Sequence, residues 1–378
     1  MQFKFIPLAI ALAYTGSAGA QEVIKIGHVA PVSGPSAHLG KDNENGAKMA
    51  IDDLNAKGIK IDGKPVKFVL QLEDDGGDPK QGTSVAQKLV DAKVNGVIGH
   101  LNSGTSIPAS KIYYDAGIPQ ISPATTQTKY TQQGFKSAFR VVANDAKLGG
   151  TLGAYAVGKM GIKKIAVIDD RTAYGQGVAD EFAKGAKKAG GGVEIVAKEF
   201  TTDKATDFNA ILTKIKAKNP DLVFFGGMDS VAGPLLRQMK ALGINAKFMG
   251  GDGMCTESLP KLAGAAAANG VVVCAEAGGV SGEQQKGMDD FVARYKKKYN
   301  ADVQLYSPYV YDALMTMGTA MQQANSAQPA KYLPVLQNIK YQGVTGLISF
   351  DAKGDIKDGA LTLFTYTDGK KTKIEVIH

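Results

Sequence analysis

The amino-acid sequence predicts an α/β fold in which two doubly wound parallel sheets each carry helices on both faces. Short apolar strands alternate with amphipathic helices along the chain, and such alternation is typical of parallel strands joined by helical crossovers. The alternation starts afresh after the segment "VVANDAKLGG" at residues 141–150. The chain has 378 residues, more than the roughly 100–200 residues of a usual single domain. We therefore expect two α/β units in tandem.

The first unit contains five apolar strands separated by helices. Its first helix ends at Gly58, and apolar residues recur on one face at helical spacing; that face comprises Ala47, Ala50, Ile51 and Leu54. The predicted strands are "VIKIGHVAP" (23–31), "VKFVLQLED" (66–74), "VNGVIG" (94–99), "IPQISP" (118–123) and "AFRVV" (138–142). The predicted helices are "ENGAKMAIDDLNAKG" (44–58), "KQGTSVAQKLVDA" (80–92) and "PASKIYYDAG" (108–117).

The second unit repeats this alternation. The predicted strands are "KKIAVIDD" (163–170), "VEIVAKEF" (193–200), "DLVFFGG" (221–227), "AKFMGGDG" (246–253) and "GVVVCAEAG" (270–278). The predicted helices are "TLGAYAVGKMG" (151–161), "YGQGVADEFAKGAKKAG" (174–190), "DFNAILTKIKAKNP" (207–220) and "VAGPLLRQMKALG" (231–243). The remaining residues, 283–378, are too few and too irregular for a third unit of this kind. We expect this tail to return and cover the first two units.

The first twenty residues have the features of a secretory signal. A lysine near the start precedes the apolar run 5–14, and the small residues Ala18, Gly19 and Ala20 follow, so cleavage is expected before Gln21. A short buried helix is the alternative, but it does not explain why these features occur in the order that export requires. No other apolar run approaches eighteen residues, which predicts a soluble mature protein.

The charge distribution and the histidines argue against nucleic-acid and metal partners, and the cysteines indicate a disulfide. The formal charge is +8, but the basic residues are spread over helix-like segments without interleaved aromatic residues, so solvated faces are favoured and no nucleic-acid partner is expected. The two cysteines, Cys255 and Cys274, predict a disulfide in an exported protein, with two buried thiols as the alternative. The four histidines lack metal-site spacing. We expect neither a metal nor a cofactor.

Two loops of the first unit are rich in hydroxyl groups. Ligands of open parallel sheets bind beyond the carboxyl ends of the strands, and "HLNSGTS" follows the strand residue Ile98 while "SPATTQT" follows Ile121. Hydroxyls and the free N–H groups of a helix start can hold a small carboxylate without an arginine. Helix capping by Ser103, Thr105 and Ser106 is the alternative. The recurrence of the pattern in a second loop favours a ligand site.

The second unit offers a complementary charge. Asp252 lies between glycines in "GGDGM", and Tyr174 stands near the start of a predicted helix. A carboxylate in this position could accept hydrogen bonds from the ammonium group of a ligand, although an aspartate in an ordinary glycine-rich turn is the commoner case. Donors on one unit and an acceptor on the other suit a zwitterion held between them.

These segments resemble a known family, the periplasmic branched-chain amino acid (Leu/Ile/Val)-binding proteins of ABC importers, which have the type I periplasmic-binding-protein fold. The resemblance covers nearly the whole mature chain, and the order and spacing of its motifs are specific. The motifs are "IKIGHVAPVSGPSAHLG" (24–40), "LEDDGGDPKQGTSVAQKLV" (72–90), "VIGHLNSGTSIPAS" (97–110), "IPQISPATT" (118–126), "AYGQGVA" (173–179), "GPLLRQMKALG" (233–243), "FMGGDGM" (248–254) and "GLISFDAKGD" (346–355).

The resemblance implies a set of ligand-binding residues. The α-carboxylate and part of the ammonium would be met by Ser103 and by the backbone of Leu101, Ala124 and Thr126. Asp252 matches the acidic residue that receives the ammonium, and Tyr174 matches an aromatic residue that closes on the ligand from the second lobe. The positions of the side-chain pocket are Leu39, Met228 and Tyr306.

The chain departs from the family pattern at three of these positions. Leu39 and Met228 stand where aromatic residues are common, and Asp252 is one methylene shorter than the usual glutamate. The elements that would recognise the carboxylate and ammonium groups of the ligand are thus retained. The residues that would surround the side chain of the ligand differ from the family pattern. The resemblance favours Leu, Ile or Val as the ligand, with another amino acid or a small amide as the alternative.

The family also implies the domain organisation and the partners. Its two lobes are joined by three crossing strands and close over an amino acid without altering it. We place the signal at 1–20, the first lobe at 21–143 plus 277–351, and the second lobe at 144–276 plus 352–378, with crossovers near 142–145, 275–279 and 350–354. A monomer in the periplasm that delivers its ligand to a membrane permease is expected.

Two other classes of protein share this kind of fold. An enzyme is disfavoured because the chain has no G-x-G-x-x-G helix start after its first strand, no G-x-S-x-G elbow and no Walker loop. A sensory ligand-binding module or regulator would need a transmembrane or DNA-binding segment, and the sequence contains neither. Fold alone does not define function, so the function is inferred from the residues in the loops.

Overall fold

The computed structural model describes residues 21–264 and 269–378, so the predicted signal lies outside the described residues. The strands of the first sheet are β1 (Glu22–Ala30), β2 (Lys60–Ile61), β3 (Lys64–Asp74), β4 (Gly96–Gly99), β5 (Gln120–Ser122) and β6 (Ala138–Arg140). The helices between them are α1 (Ala37–Ala56), α2 (Pro79–Asp91), α3 (Ser103–Asp115) and α4 (Lys129–Gln132).

The first sheet has the strand order β2-β3-β1-β4-β5-β6. Strands β3, β1, β4, β5 and β6 run parallel to their neighbours. The order reverses between β1 and β4, so the helices that follow these two strands pack on opposite faces of the sheet. The crevice at such a reversal is where ligands of this architecture bind.

The second part of the chain builds the second sheet. Its strands are β7 (Lys164–Asp169), β8 (Glu194–Phe200), β9 (Leu222–Gly226), β10 (Lys247–Gly250) and β11 (Val272–Glu276). The helices are α5 (Asp145–Gly158), α6 (Ala173–Ala189), α7 (Asn209–Ala217), α8 (Asp229–Ala241) and α9 (Leu259–Ala263), with a 3₁₀ turn at Asp252–Met254. These strands are parallel in the order β8-β7-β9-β10-β11. The reversal lies between β7 and β9.

The tail returns to both units, as the sequence predicts. Its elements are a 3₁₀ turn (Gly282–Gln284), α10 (Gln285–Tyr299), α11 (Ser307–Gln323), α12 (Pro329–Gln337), β12 (Tyr341–Gly343), β13 (Gly346–Ile348), β14 (Leu361–Thr367) and β15 (Lys370–Ile377). Helix α11 packs against α1. Strands β14 and β15 extend the second sheet beside β11, while β12 and β13 form a small sheet of their own.

Both sheets are mainly parallel, as expected, and each also includes antiparallel strands at one edge. Strand β2 pairs antiparallel with β3, and β14 pairs antiparallel with β11 and β15. An Asp-Gly pair joins each hairpin, and both residues of each pair have positive φ: 51° and 72° at Asp62 and Gly63, 49° and 70° at Asp368 and Gly369. Two-residue turns of this kind reverse the chain direction, so the joined strands must be antiparallel.

The chain passes between the two sheets three times: between β6 and α5, between β11 and α10, and between β13 and β14. The three connections lie side by side. The Ala143 N–H donates to the Ala277 carbonyl at 2.9 Å, and the Arg140 N–H donates to the Gly354 carbonyl at 3.0 Å. Within residues 21–264 and 269–378, every helix is too short or too polar to cross a lipid bilayer.

Candidate functional site

The loops at the carboxyl ends of both sheets converge on one small cavity between the lobes. Its lining residues are Leu101, Asn102, Ser103, Ala124, Tyr174, Met228, Asp252 and Tyr306. Seven of the nine residues expected to bind ligand are in this set. They come from loops after β4, β5, β7, β9 and β10 and from the start of α11. Parallel strands bring these loops together because their carboxyl ends share one edge of the sheet.

Leu39 and Thr126 do not line this cavity. Leu39 is fully buried within α1. Thr126 is also fully buried, and its carbonyl accepts the Asp145 N–H at 2.7 Å. Asn102 does line the cavity although the sequence reasoning did not select it. Its place between two selected residues, Leu101 and Ser103, was the available signal.

Hydroxyl groups join the loop after β4 to the loop after β5 and do not cap helix α3. Helix α3 begins at Ser103, five residues before the predicted start, and its N-cap Asn102 makes no side-chain capping bond. The Ser106 hydroxyl lies 2.5 Å from that of Thr125, and Ser106 and Ser122 both donate to the His100 carbonyl, at 3.2 and 2.8 Å. These bonds hold the loops after β4 and β5 in register.

Ser103 is available to a ligand. Its Oγ accepts the Gln127 N–H at 3.3 Å, which leaves the hydroxyl proton for an acceptor in the cavity. Ser103 also begins α3, whose first N–H groups have no partner within the helix and carry the positive end of its dipole. This corner of the cavity therefore suits an anionic oxygen.

A buried histidine–aspartate pair supports this side of the site. His100 Nδ1 lies 2.7 Å from Asp75 Oδ2, and its Nε2 lies 3.1 Å from the Tyr113 hydroxyl. Burial raises the pKa of Asp75, but the hydrogen bond and charge of His100 outweigh it, so the pKa lies below its usual value. The pair joins the loop after β3 to the loop after β4. The sequence reasoning missed this positioning role because the partners are 25 residues apart.

Asp252 is the acceptor on the opposite side. Its Oδ2 accepts the Tyr306 hydroxyl at 2.9 Å, while Oδ1 has no hydrogen-bond partner among the described residues. Burial raises the pKa of Asp252 to about 6, against the opposing effect of hydrogen bonds from Tyr306 and Tyr174. A buried carboxylate with a free oxygen is stabilised when a cationic group pairs with it.

Two tyrosines connect Asp252 to its surroundings. The Tyr174 hydroxyl accepts the Gly253 N–H at 2.9 Å. The backbone around Tyr306 is held by Asp42, a buried carboxylate on α1 that accepts four successive N–H groups at 2.8–3.2 Å; these belong to Gln304, Leu305, Tyr306 and Ser307. The bond from Tyr306 to Asp252 therefore joins a segment anchored on the first lobe to the second lobe.

A second buried carboxylate, Asp145, is electrostatically coupled to Asp252. Both oxygens of Asp145, the first residue of α5, lack partners among the described residues. Burial raises the pKa of Asp145 to about 8, with a further increase from the charge of Asp252. No pattern in the sequence distinguished Asp145.

The cavity is almost closed. Its volume is about 10 Å³, at the lower limit for a single water molecule. A wider chamber of about 430 Å³ adjoins it and shares Asn102, Tyr174 and Met228 as lining residues. The cavity in this closed arrangement is too small to hold an amino acid.

The disulfide predicted from the two cysteines is confirmed. Cys255 and Cys274 are bonded, with Cα atoms 5.4 Å apart. The bond ties the turn that carries Asp252 to β11, the strand that leads into the second crossover. It thereby holds the acceptor side of the site on the second sheet.

The two-lobed fold and the inter-lobe site define a protein of the binding-protein class. The chain belongs to the periplasmic binding protein family, whose model matches residues 23–371. The Leu/Ile/Val-binding protein homolog 1 of Brucella abortus is 35% identical over 376 residues, 99% of this chain and 98% of that protein. The Leu/Ile/Val/Thr-binding protein of Salmonella typhimurium is 35% identical over 368 residues, 96% of this chain and 97% of that one.

A solved structure of a similar protein has the same fold. The branched-chain amino acid transporter substrate binding protein LivJ from Streptococcus pneumoniae, in complex with isoleucine, is 30% identical and superimposes with a TM-score of 0.83. The match covers 94% of this chain and 99% of that one. The type I periplasmic-binding-protein fold expected from the sequence is confirmed.

Proposed function

We propose that this protein is the substrate-binding receptor of an ABC importer, that it captures a branched-chain amino acid between its lobes, and that it delivers the amino acid to a membrane permease. The observation that carries the proposal is the opposition of donors and acceptor across one cavity. Ser103 and the start of α3 face it from the first lobe, and Asp252 faces it from the second. The named ligands of the full-length relatives support the same class.

The roles follow from this opposition. The α-carboxylate of the ligand accepts hydrogen bonds from the Ser103 hydroxyl. It also accepts hydrogen bonds from backbone N–H groups near Leu101, Ala124 and Thr126. The ammonium group of the ligand donates a hydrogen bond to the Asp252 carboxylate, and Tyr174 closes over the ammonium group. The aliphatic side chain is enclosed by Met228 and Tyr306, with Leu39 behind them. Every group in this set binds and none provides a nucleophile with an adjacent base, so the protein carries its ligand without altering it.

The three crossovers form the hinge of the proposed mechanism. The first lobe comprises 21–143 and 277–351, and the second comprises 144–276 and 352–378. Rotation within the short connections separates the lobes while each sheet stays rigid. Closure then excludes water and strengthens the polar contacts. The protein acts as an exported monomer, and its closed form is what the permease receives.

One lining residue of the cavity favours a second class of ligand, which carries an amide group. Asn102 lines the cavity, and its Oδ1 has no hydrogen-bond partner among the described residues. An amino acid with a terminal amide, or a small amide, could donate to this oxygen. Such a ligand would reach from the cavity toward the adjoining chamber.

A thermal-shift screen of the mature protein against the twenty amino acids, with acetamide added as a small amide, tests the proposal. A ligand that binds the folded state stabilises it by about 2.7 kcal/mol at a hundredfold excess over Kd. We expect Leu, Ile and Val to raise the melting temperature most. A largest shift with Asn, Gln or acetamide would favour the amide class, and no shift with any of these compounds would contradict both.

A further inference from the structure

A second cavity lies where the first lobe meets the third crossover, and it shares no lining residue with the amino-acid site. Its volume is about 650 Å³, within the range of about 300–1,000 Å³ that is usual for small-molecule sites. The aromatic rings of Phe139 and Phe350 contribute to its wall, with centroids 4.8 Å apart. Most of the remaining lining residues are polar, and Ile339 and Ala352 add apolar groups.

Four lysines line this cavity: Lys136, Lys340, Lys353 and Lys357. The Lys136 ammonium donates to the Ala352 carbonyl at 3.1 Å. Among the described residues, the ammonium groups of the other three have no hydrogen-bond or ion-pair partner. Like charges that converge in a concave site repel each other, and an anion bound between them removes that repulsion.

The nearby carboxylates offset only part of the charge of these lysines. Asp351 is the single acidic residue of the lining, and its Oδ1 already accepts the N–H groups of Lys353, Gly354 and Asp355 at 2.8, 2.9 and 3.0 Å. The carboxylate of Asp355 is paired with the buried Arg140, with Oδ1 2.6 Å from Nε. The lining of the cavity therefore contains four lysines and one acidic residue.

We propose that this cavity binds a small soluble polyanion, of the class that carries two or more negative charges on phosphate or carboxylate oxygens. The concave shape fits a compact molecule whose charges can meet several lysines at once. The lysines come from three segments: Lys136 precedes β6, Lys340 follows α12, and Lys353 and Lys357 lie in the third crossover. A bound polyanion would link the first lobe to that crossover. This cavity is spatially separate from the amino-acid site.

The experiment is a calorimetric titration of the mature protein with pyrophosphate at low and at high salt. The cavity variant is Lys353→Ala with Lys357→Ala, both exposed residues whose loss leaves the core intact. The matched control is Lys187→Ala with Lys188→Ala, two exposed lysines at the end of α6 with the same change of net charge. Lys340→Ala provides an independent third variant.

We expect pyrophosphate to bind the wild type and the control with equal affinity and the cavity variant at least about tenfold more weakly, because charged hydrogen bonds are lost. Lys340→Ala should also weaken binding, and high salt should weaken it in every case. Failure of pyrophosphate to bind the wild type, or equal weakening in the control, would overturn the proposal. Binding to phosphatidylglycerol vesicles through these lysines, without pyrophosphate binding, would assign the surface to a lipid headgroup and also overturn it.

Discussion

His38 and Asp229 meet across the cleft, with Nε2 of His38 2.8 Å from Oδ2 of Asp229. His38 lies in the first turn of α1 on the first lobe, and Asp229 begins α8 on the second. The Asp229 side chain is fully buried, and the same Oδ2 also accepts the Thr256 hydroxyl at 2.6 Å. This contact spans the two lobes, so separation of the lobes would break it.

The first prediction is that His38 makes ligand binding depend on pH. Burial lowers the pKa of His38, but the hydrogen bond and charge of Asp229, with a smaller effect of Asp42, raise it above its usual 6.5. The ion pair therefore stabilises the closed form at low pH, and this stabilisation is lost as the pH rises through the raised pKa. We expect leucine affinity to fall a few-fold over that range, since partly exposed pairs contribute up to about 1 kcal/mol.

His38→Gln removes the titrating group, and calorimetry of both proteins on either side of the usual histidine pKa measures the difference. Asp252, which also titrates in the site, is present in both proteins and cancels from the comparison. The variant should have a flatter profile than the wild type. Parallel profiles would show that His38 does not control closure.

The second prediction concerns Asp252→Asn. The variant should bind leucine at least about tenfold more weakly, because a charged hydrogen bond is worth roughly 1.5–3 kcal/mol and the ligand ammonium is left unpaired. Its melting temperature should equal or exceed that of the wild type, because a buried carboxyl with one free oxygen is removed. Calorimetry and thermal melting give the two values, with the exposed Asp180→Asn as the control. Unchanged affinity would remove Asp252 from the site.

The third prediction is that Asp145 lowers stability as the pH rises. Burial raises its folded-state pKa to about 8 from 3.8, so stability is greatest below the unfolded-state value and is lost as the pH rises toward the folded-state value. Each unit of pKa difference corresponds to about 1.4 kcal/mol as an upper guide. Asp145→Asn should melt higher at neutral pH and depend less on pH in urea unfolding. Equal pH dependence of the two proteins would contradict this.

The fourth prediction concerns the disulfide. The bond joins cysteines separated by 19 residues, and closing a loop of that length stabilises a protein by roughly 3 kcal/mol. Cys255→Ala with Cys274→Ala should therefore lower the free energy of unfolding by about that amount. Thiol titration of denatured, unreduced wild-type protein should find no free thiol. Two free thiols would contradict the bond.

The fifth prediction concerns closure. Binding of leucine should shift the population toward the closed form and reduce the radius of gyration measured by solution scattering. A distance probe between exposed positions on α2 and α7, one on each lobe, should shorten in parallel. Superimposable scattering curves together with an unchanged probe distance would exclude a hinge mechanism for this protein.

The sequence by itself predicted the alternation of strands and helices, the two tandem units and the loops that form the site. Each depends on local information: hydrophobic periodicity marks an element, and a parallel sheet places every loop after a strand at the same edge. Ser103, Tyr174 and Asp252 could therefore be selected from their positions behind strands, whereas Ala124 was implied by the resemblance to the family. The disulfide was predictable because only two cysteines exist.

Tertiary structure alone decided which distant groups support that site. Asp42 holds the backbone before α11 from 262–265 residues away, and His38 reaches Asp229 across 191 residues. The burial of Asp145 and the convergence of four lysines beside the third crossover arise in the same way. Such contacts depend on how the crossovers orient the lobes and fold the tail over them. Local periodicity does not record the distances between segments far apart in the chain.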